Sequence, residues 1–376
     1  MRETVTKSKR LVIKIGSSLL VDEQGPRSET FKGLALQINA LLEKGLEVIL
    51  VSSGAIAIGS RELGWNHTGR TIPEKQAAAA VGQIGLCEIY RNHFARYHRK
   101  VAQILVTRSG LGERERFLNA RHTLNGLLKL GVVPIVNEND TVATDEIRFG
   151  DNDNLSATIV NLVGAELLII LTDVDGLYDR PPTPSGPKPK LIGTIEKIAD
   201  NIDVIASGPD GTFGRGGMVT KLEAAKSAAR SGASTIVCNG RAEDSILRAT
   251  RGEEIGTWIV AGDKLQSRKH WLAFTANTKG TLQLDEGASK ALKEGGRSLL
   301  PAGIQSVLGQ FRMGDPVACL DPSGDEIARG LVSYDAEDIK RVRGRKAKDI
   351  VSVLGYSNGD EIIHRDDLVW LEGPEA

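Results

Sequence analysis

The chain has 376 residues, of which 40% are hydrophobic and 26% are charged. This length is too great for one small module and predicts two domains, and the composition excludes an intrinsically disordered chain. Because 48 basic residues balance 48 acidic ones, no overall charge attracts the molecule to nucleic acid or to an anionic membrane.

The cysteines and the apolar runs indicate the compartment. Cys87, Cys238 and Cys319 are odd in number and far apart, which excludes a disulfide framework and a Cys-x-x-Cys metal site. No run approaches the 18 to 20 apolar residues of a membrane span, and no apolar stretch of a signal peptide follows the polar first ten residues. We therefore expect a cytoplasmic protein with no membrane partner.

From residue 10 to about residue 260, short apolar strands alternate with amphipathic helices. The predicted strands, most of them apolar enough to be buried on both faces, are Leu11–Ile15, Glu47–Val51, Val101–Val106, Val132–Val136, Leu167–Leu171 and Ser234–Val237. Four predicted helices end at or near a glycine: from Ser28 to Gly45, from Glu113 to Gly131, from Leu155 to Gly164 and from Val219 to Gly232. The pattern predicts an α/β fold, a three-layer αβα sandwich with a mostly parallel central sheet.

An alanine-rich segment from Glu74 to Tyr97 predicts one further helix. We expect His93 and His98 on its polar face, at the surface, and its apolar residues in the core or in an oligomer interface.

The sequence pattern changes at a boundary that lies between Ala261 and Thr278. Pro181 to Pro189 is a proline-rich surface excursion within the first domain, because the alternation of strands and helices resumes after it. Beyond the boundary, short alternating strands are separated by turn signals, as in Gly280–Leu284, Asp315–Leu320 and Ile327–Val332. We predict a catalytic domain at 1–262, a linker at 263–278 and a small, mainly β domain at 279–376.

Ligands of an open α/β sheet bind beyond the carboxyl ends of its strands, so the residues after each strand are the candidates for a site. Those residues are polar and glycine-rich: Lys14 with Gly16–Ser18, Ser52–Ala55, Asn137–Asp140, Gly150–Asn154 and Thr172–Gly176. Glycines and backbone N–H groups in such turns suit phosphate. Neither the Walker nor the Rossmann fingerprint is present, which leaves Gly16–Ser18 and Gly214–Lys221 as phosphate-binding candidates.

Each of these signals has a plainer alternative. A glycine-rich turn can be a tight connection, Lys221 can be a solvated helix residue, and Lys14 can lie in water on an edge strand. A helix cap can explain the acidic and amide run Asp151 to Asn154, although one residue suffices as a cap. Spacings for zinc hydrolysis and for Ser-His-Asp chemistry are absent, so those two classes have no support.

Taken together and in order, these stretches resemble the amino acid kinase family and, within it, the glutamate 5-kinases. The resemblance is carried by Val12–Ser18, Ser52–Ile56, Ala77–Gln83, Glu115–Arg121, Asn137–Asp140, Gly150–Ala157, Leu171–Asp173 and Gly214–Lys221. The C-terminal segment, from Glu286 to Leu331, is similar to the PUA domain that bacterial members of this family often have.

The resemblance implies roles for individual residues. Lys14 and Lys221 would face the transferred phosphoryl group, with Asp153 between them, and Ser53, Asp140 and Asn152 would bind the substrate. The ATP-binding residues would be Lys14, Gly16, Thr172, Asp173, Gly214, Arg215, Gly216, Gly217, Met218, Val219, Thr220 and Lys221. The family often has a small residue where this chain has Arg215. Mg²⁺ would be carried by ATP, with no metal ligands in the protein.

The resemblance also implies a reaction and partners. It implies ATP-dependent phosphorylation of the γ-carboxylate of L-glutamate, the first step of proline biosynthesis, with feedback inhibition by proline. Further implications are a homo-oligomer and glutamyl phosphate reductase as a pathway partner. A γ-carboxylate is already ionised at neutral pH, so the reaction requires no general base, which agrees with the lack of a histidine motif.

Two alternatives stay open on the sequence alone. Another amino acid kinase, for acetylglutamate or aspartate, would share the lysines and differ in the acceptor pocket. An RNA-binding PUA protein is the second alternative, because Lys340 to Lys348 contains six basic residues. Against it, residues 275–376 contain 13 basic and 17 acidic residues, so we expect the basic stretch to be a solvated face.

Overall fold

The structure, a computed structural model, describes residues 2–143, 152–180, 189–196, 218–261, 271–273, 275–295 and 297–371. The chain divides into two compact units. Unit 1 comprises Met1–Leu111 and Glu115–Leu265, and unit 2 comprises Gly112–Arg114 and Gln266–Ala376. The proline-rich excursion predicted at 181–189 lies, except for Pro189, outside the described residues.

Unit 1 contains an eight-stranded sheet with the strand order β5-β6-β4-β1-β7-β9-β10-β8. The strands of unit 1 are β1 (Arg10–Ile15), β2 (Val21–Asp22), β3 (Gly25–Pro26), β4 (Glu47–Ser52), β5 (Val101–Val106), β6 (Val133–Glu138), β7 (Leu167–Thr172), β8 (Thr194–Ile195), β9 (Ser234–Asn239) and β10 (Thr257–Ile259). The first six strands in this order are parallel, whereas β10 runs antiparallel to β9 and β8 is parallel to β10. β2 and β3 form a separate two-stranded ribbon.

Helices cover both faces of this sheet. They are α1 (Glu3–Thr6), α2 (Ser17–Leu20), α3 (Ser28–Glu43), α4 (Ala55–Glu62), α5 (Ile72–Ala95), α6 (Arg108–Leu111), α7 (Arg114–Lys129), α8 (Asp153–Val163), α9 (Met218–Arg230) and α10 (Ser245–Thr250). Leu11, Ile13 and Ile15 of β1 share one core cluster with α3 and α5. Because side chains alternate along a strand, Lys14 faces the opposite side, where α8 contacts β1 and β7.

Two glycines bring α4 and α5 into backbone contact. A Cβ atom on Gly82 would lie 2.0 Å from the carbonyl oxygen of Ala55, and one on Gly59 would lie 1.8 Å from that of Ala78. Since real Cβ atoms do not approach backbone so closely, only glycine permits this crossing. The crossing carries the next residue, Gln83, to the inner side of α5, where it is buried.

The expectation of a polar surface face is wrong for His93, whereas His98 is exposed as expected but lies beyond the end of the helix. His93 is buried and stacks on Phe31 with 6.1 Å between the ring centroids, and burial lowers its pKa. His98 follows the end of α5 with a φ of 56°. An imidazole has an apolar ring face, so it packs in a core as readily as it faces water.

Unit 2 contains a five-stranded, mainly antiparallel sheet with the order β12-β11-β13-β14-β15. Its strands are β11 (Gly280–Leu284), β12 (Ile304–Gly309), β13 (Pro316–Leu320), β14 (Glu326–Leu331) and β15 (Leu368–Trp370), and its helices are α11 (Glu286–Gly295), α12 (Ala336–Val342) and α13 (Ile350–Leu354). The sheet and helices enclose a core of their own. Gly112–Arg114 belongs to this unit, where the Arg114 guanidinium lies 5.1 Å from the ring centroid of Trp271.

The predicted fold class is confirmed: a mostly parallel sheet with helices on both faces, followed by a small, mainly β unit. All six predicted strands of unit 1 are present, and their bounds differ from the predicted ones by at most two residues. Among the described helices, none is long and apolar enough to cross a membrane.

Candidate active site

A buried cluster of two lysines and one aspartate lies at the carboxyl ends of the strands. Lys14 Nζ is 2.8 Å from Asp153 Oδ1, and Lys221 Nζ is 3.0 Å from Asp153 Oδ2. Lys14 comes from β1, Asp153 begins α8 and Lys221 lies in the first turn of α9. Helices α8 and α9 pack against each other, so three segments far apart in sequence meet at one carboxylate.

The charge of this cluster suits an anion. The three side chains together carry one positive charge, and Asp153 is fully buried with both lysines nearly so. Charges are rarely buried without partners, and the carboxylate here partners two ammonium groups that would otherwise repel each other. A cluster with an excess positive charge at the end of a parallel sheet is suited to stabilising a phosphoryl group.

A network of side-chain amides lies beside the lysine cluster. Asn152 Nδ2 donates to the Ser52 carbonyl at 3.1 Å, to Ser53 Oγ at 3.1 Å and to Asn137 Oδ1 at 2.8 Å. Asn137 in turn donates to Gln83 Oε1 at 2.9 Å. These bonds tie the ends of β4 and β6 to the start of α8.

Asp140 belongs to a small cavity next to this network. The cavity has a volume of about 200 Å³ and is lined by Ser17, Ser53, Gly54, Ala55, Ile56, Ala57, Thr68, Lys75, Asn137 and Asp140. Burial raises the pKa of Asp140 from 3.8 to about 6. Drug-sized ligands occupy pockets of about 300–1,000 Å³, so this cavity suits a smaller, polar molecule.

Two buried oxygen atoms at this site have no hydrogen-bond partner among the described residues. They are Asp140 Oδ1 and Asn152 Oδ1, and both residues are at most 5% exposed. Buried polar atoms are almost always hydrogen-bonded in native proteins, so such atoms indicate a ligand or water. Both atoms are acceptors, and they therefore call for a donor.

The residues predicted to bind ATP are only partly described. Gly16 follows β1 next to the end of β7, because Ile15 pairs with Leu171, so it lies near Thr172. Met218 and Val219 begin α9, and Thr220 Oγ1 donates to Asp153 Oδ2 at 3.0 Å. Gly214, Arg215, Gly216 and Gly217 lie outside the described residues, as do Gly150 and Asp151.

The structure thus brings together Lys14, Asp153 and Lys221 in one cluster. Ser53 and Asp140 line one cavity, and Asn152 donates to Ser53 and Asn137 of its lining. Their roles in binding and catalysis remain predictions. Two further residues in the network were not predicted as site residues, Gln83 and Asn137. The motif Asn137–Asp140 contained a signal for Asn137, whereas nothing in the local pattern around Gln83 indicates a polar contact.

The basic stretch of unit 2 has acidic neighbours. Lys340 Nζ lies 2.6 Å from Glu337 Oε1, and Arg341 lies 3.8 Å from Asp338. These pairs on α12 offset part of the positive charge that would attract a polyanion.

Comparison with known proteins agrees with this geometry. The profile of the amino acid kinase family matches residues 9–239, and that of the PUA domain matches residues 280–354. Glutamate 5-kinase of Stutzerimonas stutzeri is 48% identical over 98% of this chain and all of its own length. The glutamate 5-kinases of Citrifermentans bemidjiense and Burkholderia vietnamiensis are each 47% identical with the same coverage.

The family match covers more than half of the chain, and the identity to these relatives extends across both units. The resemblance inferred from the sequence motifs is therefore confirmed. The chain belongs to the amino acid kinase family, among the glutamate 5-kinases, with a C-terminal PUA domain.

Proposed function

We propose that this protein transfers the γ-phosphoryl group of ATP to the γ-carboxylate of L-glutamate and so forms L-glutamyl 5-phosphate, the first step of proline biosynthesis. The full-length identity of about 48% to glutamate 5-kinases supports this activity. The single structural observation that supports it best is the buried Lys14–Asp153–Lys221 cluster beside a small polar cavity.

In this reaction a γ-carboxylate oxygen of glutamate forms a bond to the γ-phosphorus of ATP. The bond from that phosphorus to the β,γ-bridging oxygen breaks, and ADP leaves with the electron pair. The acceptor is already an anion, so no proton has to be removed. Lys14 and Lys221 stabilise the charge on the transferred group, and Asp153 orients both lysines.

Magnesium fits this site as an ion carried by ATP, where it would neutralise charge on the phosphates. Both oxygens of Asp153 already contact lysine ammonium groups. No cluster of three His, Cys, Asp or Glu side chains suited to a metal occurs within the described ranges. In this proposal the phosphate oxygens of the nucleotide, and not protein side chains, would ligate the ion.

Ser53, Asn152 and Asp140 bind the amino acid in this proposal. Ser53 and Asp140 line the small cavity, and Asn152 donates to Ser53. The unpartnered acceptor oxygens of Asp140 and Asn152 suit the α-ammonium group of glutamate. ATP is held in this proposal by Gly16, Thr172, Asp173 and the stretch from Gly214 to Lys221.

Feedback inhibition by proline belongs to the same proposal. Proline carries an ammonium and a carboxylate group, as glutamate does, and would compete for the cavity. Proline should then raise the KM for glutamate and leave kcat unchanged. An uncompetitive or absent effect of proline would contradict this part of the proposal.

We further propose a cytoplasmic homo-oligomer that passes its product to glutamyl phosphate reductase. An acyl phosphate is easily hydrolysed, so an enzyme that consumes it is the expected functional neighbour. Light scattering of the purified protein, alone and mixed with the reductase, measures both forms of assembly.

Turnover with four acceptors tests the activity itself. ADP release is measured with L-glutamate, L-aspartate, N-acetyl-L-glutamate and uridylate, and hydroxylamine traps any acyl phosphate as a hydroxamate. We expect ADP and hydroxamate in equal amounts with glutamate alone. A preference for another acceptor, or ADP release without hydroxamate, would contradict the proposed function.

A further inference from the structure

Gln83 is a buried polar residue that the proposed reaction does not use. It lies on α5 with 7% of its surface exposed, and its side chain meets the amide network at the substrate cavity. Gln83 Oε1 accepts a hydrogen bond from Asn137 Nδ2 at 2.9 Å, and Gln83 Nε2 donates to Cys87 Sγ at 3.3 Å.

Backbone groups fix which way each amide of the network faces. The Glu138 N–H can only donate, and it donates to Asn137 at 3.0 Å, so the atom that it meets is the oxygen. The nitrogen of Asn137 therefore faces Gln83, which must offer its oxygen in return. These assignments follow from donor and acceptor chemistry, although oxygen and nitrogen of an amide look alike in shape.

The same reasoning fixes Asn152. The Ser52 carbonyl can only accept, so the atom of Asn152 at 3.1 Å from it is the nitrogen. Asn137 Oδ1 accepts a second bond from this nitrogen at 2.8 Å, while the Asn137 nitrogen donates to Gln83. Asn152 Oδ1 is left as a buried acceptor with no partner within the described part of the chain.

We infer that Gln83 is a positioning residue for amino-group recognition: together with the Glu138 N–H it holds Asn137, which holds Asn152 so that Asn152 Oδ1 accepts from the α-ammonium group of the substrate. Without the Gln83 oxygen, the buried Asn137 nitrogen loses its acceptor, and the Glu138 N–H alone then holds Asn137 Oδ1 in place for Asn152. Asp140 Oδ1 is a second buried acceptor of the site with no partner within the described part of the chain. This inference rests on the proposed function, because it requires an amino acid in the cavity.

The test compares L-glutamate with glutarate, which has the same two carboxylates and lacks the amino group. Dissociation constants of both ligands are measured by calorimetry, and KM values for glutamate and ATP by turnover. Gln83→Met removes the acceptor at nearly constant volume. Gln83→Glu keeps an acceptor for Asn137, and Gln76→Met makes the same chemical change two turns earlier on the same helix.

We expect Gln83→Met to weaken glutamate binding by about 10-fold to 100-fold, as is typical when a buried polar group loses its partner. Glutarate binding and the KM for ATP should stay within about 3-fold, so the preference for glutamate over glutarate falls. Gln83→Glu should restore most of that preference, and Gln76→Met should match the wild type.

An equal loss for glutamate and glutarate in Gln83→Met would overturn the inference, since it would indicate a general distortion of the pocket. An unchanged preference in Gln83→Met would overturn it as well. A wild-type protein that binds glutamate but does not phosphorylate it would contradict the proposed function and leave the binding comparison valid.

Discussion

Lys14 and Lys221 both contact the Asp153 carboxylate, and neither is predicted to bind glutamate. Their replacement should therefore affect catalysis more than substrate binding. Replacing either lysine by alanine should lower kcat by about 10²-fold to 10³-fold with a much smaller effect on the KM for glutamate. The reason is that the ammonium groups act on charge that develops in the transition state. Steady-state kinetics of both variants provide the measurement.

Lys129→Ala is the control for this prediction, because Lys129 is an exposed lysine at the end of α7. Thermal unfolding of each variant measures a separate loss of stability, since a buried Asp153 that contacts only one lysine destabilises the folded protein. Near-normal kcat in both lysine variants would show that the lysines do not act on the transferred group.

Replacement of Asp140 should affect the KM for glutamate more than kcat, because Asp140 is predicted to bind the ground state of the substrate. Asp140→Asn should raise the KM for glutamate strongly at pH 7.5 and leave the KM for ATP unchanged. The raised pKa of Asp140, about 6, predicts that the wild-type KM for glutamate also rises as the pH falls below 6. The two proteins should therefore converge near pH 5, and a pH-independent ratio of their KM values would contradict this role.

The same pKa predicts a change in stability. Burial raises the pKa of Asp140 from 3.8 to about 6, so the folded protein binds a proton that the unfolded chain releases. This contribution to stability is present below pH 3.8 and is lost as the pH rises through 6. Asparagine stays neutral, so the Tm of Asp140→Asn should exceed that of the wild type by an amount that grows between pH 4 and pH 7.5. Unfolding scans without substrate measure it, and a constant difference in Tm would refute the assignment.

At the scale of elements, the crossing of α4 and α5 at Gly59 and Gly82 determines the position of the amide network. Gly82→Ala would place a methyl group 2.0 Å from the Ala55 carbonyl oxygen, so the helices must separate. We expect a loss of several kcal/mol in the free energy of unfolding, comparable to overpacking in a core, and a raised KM for glutamate because Gln83 moves with the helix. Denaturant unfolding and kinetics are the measurements.

Gly126→Ala is the matched control, since Gly126 lies inside α7 with no atom within 4 Å of its Cβ position. There the same substitution should stabilise the protein by about 1 kcal/mol, because alanine has the higher helix propensity. Equal effects of the two substitutions would mean that the contact between α4 and α5 is not tight in solution.

Elements with a strong local pattern could be predicted from the sequence. The strands of unit 1 follow from runs such as Leu167–Leu171, and the helix that ends before Gly164 was found with its glycine in the left-handed conformation. The start of α5 was placed two residues late, although Thr71 and Glu74 form a capping box that was readable in the sequence. Boundaries depend on such caps more than on periodicity.

Among the residues of the candidate site, too, only those with a local signal in the sequence could be predicted. Lys14 could be predicted as a site residue because a lysine within an apolar, buried strand requires a partner for its charge. Gln83 could not, because its partner Asn137 is 54 residues away and the contact exists only through the fold. The burial of His93 was missed for a related reason: the space beside Phe31 is a tertiary feature that no local pattern encodes.

For the whole molecule, the division of the chain predicts that the kinase activity resides in unit 1. Every residue with a proposed chemical role precedes residue 222, and unit 2 has its own core, so the parts should fold separately. A chain that ends at Asp263 should therefore fold and phosphorylate glutamate, with an altered response to proline or altered assembly.

The truncation should also lower the Tm, because Gly112–Arg114 loses its partners in unit 2. Lys279 lies 3.0 Å from Glu113, the Asn277 N–H donates to the Gly112 carbonyl, and Arg114 lies over Trp271. Turnover, solution size and thermal unfolding of the shortened chain are compared with those of the full-length protein. Aggregation would contradict the separate folding of unit 1. A folded, soluble chain without glutamate kinase activity would refute the placement of the whole active site before residue 264.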